Sequence, residues 1–186
     1  MEPLIYKLHN ELKFEYERDN MEQQTKQERL LKAIDTLRDY GQRLTDGLSD
    51  EMLNWIPKET KGKPILEIFR HILEGEIYWL DFIGHKAPKT LEQLASLTSS
   101  ELLELYLSLQ SFLKNLVKKS KDTDLIPKDP KDGATLAWVI WHTSFHTIHH
   151  LAQVGYLRYA NDNPPDSDAV NTSWDNTMDS LISLGM

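Results

Sequence analysis

Cysteine is absent from the 186 residues. That excludes disulfides, cysteine-ligated zinc and a cysteine nucleophile, so any sulfur chemistry must bring its sulfur from outside the chain. Glycine is sparse, at 8 residues, and no segment shows the two-residue alternation of a half-buried strand or an internal repeat. Long apolar runs are missing too. The longest, residues 134–141, is broken by Thr135 and is far too short to span a bilayer. No signal peptide opens the chain, so the expected location is the cytoplasm, with no membrane partner. Positive charge is also in short supply. Lys and Arg number 21 against 29 Asp and Glu, a net charge of −8. Phosphate binding needs clustered cations, so nucleic acid is not expected as a partner. The one basic run, Lys114, Lys118, Lys119 and Lys121, sits where a helix should end, and there it complements the helix dipole.

What remains is a chain with 40% hydrophobic residues, long enough for one domain with a substantial core. Its patterning is helical. Leu4, Ile5, Leu8, Leu12 and Tyr16 suggest an accessory helix within residues 1–19. Leu30, Leu31, Ile34, Leu37, Tyr40 and Leu44 form a better stripe over 25–46, and Ser49 fits the cap of a short turn. After the polar run 57–63, Pro64 suits the start of a helix carrying Ile65, Ile68, Phe69, Ile72, Leu73, Trp79 and Leu80, with Gly84 at its end. Thr90 with Gln93, and Thr98 with Glu101, match capping boxes. The second opens the strongest run, Leu102, Leu105, Leu109, Phe112, Leu113 and Leu116. Residues 120–133 read as a loop, and a last long helix fills about 134–160 before Pro164-Pro165. The expectation is an all-α four-helix bundle over residues 1–160, followed by an irregular tail over 161–186 with at most one late turn near Met178 to Leu184.

Four of the seven histidines fall within nine residues of that last helix: His142, His146, His149 and His150. His142, His146 and His150 are spaced i, i+4, i+8 and stack on one face. Either neighbouring pair can share a metal ion, and a histidine from another helix, such as His71, would complete three protein ligands. A three-histidine set leaves coordination positions open, as reacting sites require. Other metal scaffolds do not fit. There is no HExxH sequence and no pair of Glu-x-x-His sequences, and Glu67 precedes His71 by four residues rather than three. His9 and His85 stand alone and read as ordinary helix or surface side chains.

Two stretches carry a family resemblance. One is LSDEMLNWIPKETKGKPILEIFRHILEGEIYWL and the other WHTSFHTIHHLAQVGYLR. In helix order and motif, residues 25–160 resemble the DinB/YfiT-like superfamily of metal-binding four-helix bundles. Leu151-Ala152 before Gln153 looks closer to the YfiT-like branch than the Arg-Gly found in many members. The resemblance implies one divalent metal ion held by His71, His146 and His150, with zinc or nickel first and iron, cobalt or manganese as further candidates. It makes His142, His149 and Gln153 candidates to line or support the site. Glu74 and Tyr78, near His71 on its own helix face, are candidate pocket groups. Glu76 matches the motif glutamate, yet five residues past His71 it should point well around the helix. The activity implied is a metal-dependent transferase joining a small thiol, such as bacillithiol, mycothiol or glutathione, to a small electrophilic substrate. Metal-dependent hydrolysis and a non-catalytic metal-binding bundle are the alternatives, with a homodimer as a candidate assembly.

Overall fold

The computed structural model describes residues 25–57 and 62–184. The accessory helix expected within residues 1–19 lies outside them. Seven α-helices and no strands occur among the described residues: α1 (Lys26–Thr45), α2 (Asp50–Leu53), α3 (Ile65–Phe82), α4 (Leu91–Leu94), α5 (Ser99–Lys119), α6 (Leu136–Ala160) and α7 (Ser167–Ile182). Two short 3₁₀ turns, Asp122–Leu125 and Pro130–Asp132, lie in the loop before α6.

The helix starts follow from local chemistry. Thr25 and Thr98 each accept the amide of the residue three along, and Glu28 and Glu101 return the bond to the cap. Ser49 and Thr135 cap α2 and α6 through their hydroxyls. Pro64 precedes the first turn of α3, one residue earlier than its expected place within it. Gly84, at φ 81°, follows the end of that helix.

The long helices α1, α3, α5 and α6 form the bundle. Helix α1 packs on α5 and α6, and α3 packs on the same two, so α1 faces α3 across a diagonal. Phe69, Ile72, Leu73 and Leu80 of α3 meet Leu102 and Leu109 of α5 and Leu151 and Val154 of α6 in one core. Burying a side chain of this size contributes about 1.5–3 kcal/mol. Helix α6 is apolar on more than one side because both α1 and α3 cover it. Arg158, only 4% exposed, crosses from α6 to the end of α1 and donates to the carbonyls of Leu44 and Asp46, each at 3.0 Å. It thereby satisfies acceptors that the end of a helix leaves open.

The tail departs from expectation. Instead of being irregular, residues 167–182 form the 16-residue helix α7. Asp166 caps it by accepting from the amides of Asp168 and Ala169, and it packs along α1. Its inner face mixes small hydroxyl residues with apolar ones. Ser173 donates to Asp39 at 2.6 Å, while Thr177 and Ser180 donate to carbonyls one turn back. The buried polar atoms are thus satisfied, and Val170, Trp174, Met178 and Leu181 supply the apolar contacts beside them. Trp174 adds an edge-on contact with Tyr40, ring centres 5.5 Å apart. Among the described residues, no helix is long and apolar enough to cross a membrane.

Candidate metal centre

Helices α3 and α6 run antiparallel. His71 meets His146 and His150, Gly75 faces His146, and Trp79 meets His142 and Trp138. Contacts that advance along α3 therefore retreat along α6. This crossing brings His71, His146 and His150 together, with one nitrogen from each lying within 4.8 Å of the others. Their ring centres are 4.5–5.0 Å apart. The three form a group that can hold a metal ion.

Several features fit that use. The Nε2 atoms of His71 and His146 are 3.3 Å apart. A tetrahedral ion bound at about 2.0–2.1 Å holds its ligand nitrogens about 3.4 Å apart. Metal binding also needs neutral imidazoles. Burial, followed by the nearby His150, His71, His142 and His149, pushes His146 down to about 4. Burial likewise lowers His150, with smaller contributions from His71, His149 and Lys63, and against the bond to Gln153. His146 Nδ1 is buried without a hydrogen-bond partner among the described residues, whereas His150 Nδ1 lies 2.9 Å from Gln153 Oε1. With its proton on Nδ1, His150 donates to Gln153 and keeps the Nε2 lone pair free for coordination. Gln153 Nε2 in turn reaches His149 Nε2 at 3.3 Å. On the other helix, Glu74 Oε2 is 3.6 Å from His71 Nδ1.

The structure separates the remaining candidates. His149 is exposed, and it touches the group through its ring contact with His150 and through Gln153. His142 sits one turn before His146, stacked on Trp138 at 4.7 Å and 11° and edge-on to Trp79. Burial lowers its pKa. Tyr78 is not brought to the three histidines. It lines a separate pocket with Asp81, Lys86 and Lys89.

Three contributors escaped the sequence reading. Gly75 lies against His146, and a Cβ built on it would sit 3.1 Å from Cε1 of that ring. A glycine inside a helix is unfavourable on propensity alone, which was the signal available. Lys63 and Tyr156 line a pocket that opens beside His71 and His150, and no sequence pattern marks them. Glu76 does turn away from the histidines, into the core, where it is 2% exposed. There it accepts from Gln110 Nε2 at 3.1 and 3.3 Å and from Thr147 Oγ1 at 3.4 Å. Burial pushes its carboxyl up to about 7, against the smaller opposing effect of those bonds. Glu76 thus ties α3, α5 and α6 together one residue away from Gly75 and His146.

Residues 33–154 match the DinB superfamily. The chain belongs to that superfamily. The matched span runs from within α1 to within α6 and contains all three clustered histidines and Gln153. Helix α7 lies beyond the matched span. No curated protein and no solved structure matches the chain.

Proposed function

We propose that this DinB-superfamily chain is a divalent-metal-dependent transferase that joins a low-molecular-weight thiol to a small electrophile. The observation that carries this reading is the three-histidine group at the edge of a pocket, in a chain with no cysteine of its own. An ion bound there supplies Lewis acidity and lowers the pKa of a small thiol toward neutrality.

The protein's own groups do the rest. His71, His146 and His150 present their ring nitrogens from two rigid helices, which fixes their positions better than loops would. Gln153 holds the proton of His150 on Nδ1. Ile68 and Leu157 shield one side of the pocket from water. In the transfer, sulfur forms a bond to carbon as the bond from carbon to halogen or to the epoxide oxygen breaks. The thiol proton passes to solvent, and the halide leaves with it or the opened epoxide oxygen takes a proton back from solvent. The YfiT-like HHLAQV run supports the same reading.

The test is reconstitution with zinc or nickel, followed by metal analysis and a conjugation assay. Bacillithiol, mycothiol and glutathione are each offered an epoxide and an activated haloarene. His71→Ala, His146→Ala and His150→Ala should each lose most of the bound metal, while His149→Ala should stay near wild type. Chelator should lower the melting temperature yet leave the helical signal at room temperature, because the core forms without the ion. Binding at a hundredfold excess over Kd adds about 2.7 kcal/mol. A metal-replete protein that shows only background conjugation with all three thiols overturns the transferase reading. Turnover with water alone would replace it with hydrolysis.

A further inference from the structure

The pocket beside His71 and His150 has a volume of about 440 Å³, within the range that accommodates a small organic molecule. Its charge is unlike that of the whole chain. The protein carries a net −8, but among the described residues no carboxylate lines this pocket, and apart from the two histidines Lys63 is the basic side chain there. Lys63 makes no ion pair with a carboxylate among the described residues. Facing it are apolar surfaces. Ile68 and Leu157 are nearly buried, and Tyr156 is 65% exposed, with its ring available to a ligand. An ammonium beside apolar walls favours a ligand that is anionic at one end and apolar along its body.

We propose that this pocket seats a small organic acid, with its carboxylate on Lys63, its apolar body on Ile68, Leu157 and Tyr156, and its far end at His71 and His150. This rests on the transferase reading for what the bound molecule is for. The acid is then the handle of the thiol or of the electrophile. Recognition by Lys63 itself needs only the pocket.

Isothermal titration separates these possibilities, using metal-free and zinc-loaded protein with three probes: 3-phenylpropionate, its neutral counterpart 3-phenylpropanol, and 3-mercaptopropionate. The expected result is that 3-phenylpropionate binds about tenfold more tightly than the alcohol, as one charge-assisted bond warrants. Lys63→Ala should erase that preference and Lys63→Glu should reverse it. Both variants should keep the wild-type circular dichroism and zinc content, because Lys63 is exposed. Equal binding of acid and alcohol, or a preference that survives Lys63→Ala, overturns the proposal. Zinc uptake with no acid preference defeats the acid pocket and leaves the metal reading standing. A Lys63-dependent preference in a protein that takes up no zinc does the opposite. Given the Lys63-dependent preference for 3-phenylpropionate, tighter binding of 3-mercaptopropionate than of 3-phenylpropionate with zinc bound assigns the handle to the thiol, and no such gain assigns it to an acid without sulfur.

Discussion

Gly75 sets how closely α3 can approach the ring of His146. A methyl group there would lie 3.1 Å from Cε1 and 3.3 Å from Nδ1, so the imidazole would have to move by a few tenths of an ångström. Against this, alanine is the better helix former, by about 1 kcal/mol in a helix interior. The two effects act on different quantities. Gly75→Ala should leave the melting temperature of the metal-free protein unchanged or raised, while zinc affinity falls about tenfold or more, as for displaced metal-site supports. Competitive zinc titration beside a metal-free thermal melt measures both, and an unaltered affinity would mean that His146 repositions freely. The histidines themselves were legible because i, i+4 spacing has one consequence on a helix. His71 was a candidate partner because it lies in another helical segment, and the family motif singled it out, since spacing within α6 says nothing about the helix opposite. Gly75 and Lys63 carry no chemical signature along the chain and acquire one only when α3 meets α6.

Helix ends were the best-read elements, because each is fixed within four residues by its own side chains. The boxes at Thr90 and Thr98 formed as expected. Helix α7 was missed for a physical reason. Its buried positions include Ser173, Thr177 and Ser180, whose hydroxyls bond to a neighbouring aspartate or to the helix's own carbonyls, and these polar residues dilute the apolar positions Val170, Trp174, Met178 and Leu181 that pack on the core. Arg158 is the counterpart on α6, a buried charge whose partners are the carbonyls of Leu44, Asp46 and Asn163. Arg158→Leu should strand these acceptors and destabilise the protein by about 3 kcal/mol, lowering the melting temperature by roughly 10 °C. Arg158→Lys should recover only part of this, because an ammonium cannot reproduce the guanidinium fork. A thermal melt of the two variants decides it. Loss of less than about 1 kcal/mol in Arg158→Leu would show that water takes over those carbonyls.

At the scale of the molecule, the buried Glu76 opposes the histidines as pH changes. Its folded pKa, about 7, lies above its ordinary value of 4.5. The folded protein therefore holds this proton more tightly than the unfolded chain. The resulting stabilisation is complete below about pH 4.5 and is lost as pH rises through 7, amounting to roughly 3 kcal/mol. His142, His146 and His150 have lowered values, so their contribution is present above about 6.5 and lost as pH falls. Glu76→Gln keeps an oxygen for Gln110 and removes the titration. In metal-free protein, the stability of the Gln variant relative to wild type should grow by roughly 3 kcal/mol between pH 4.5 and 8. Urea unfolding across that range measures the difference, and a constant offset would place the Glu76 proton outside this window.

The antiparallel crossing of α3 and α6 has a mechanical consequence. His71 sits on one helix, and His146 and His150 on the other, so the gap between the two nitrogens works like the opening of a caliper whose jaws are rigid rods. One residue of slip along a helix is about 1.5 Å, nearly half of the 3.3 Å that separates the jaws. Two stops resist that slip at neighbouring positions: Gly75 against His146, and Glu76 against Thr147. The tolerance of the histidine group is therefore set by the buried core, at a level where no loop can loosen it.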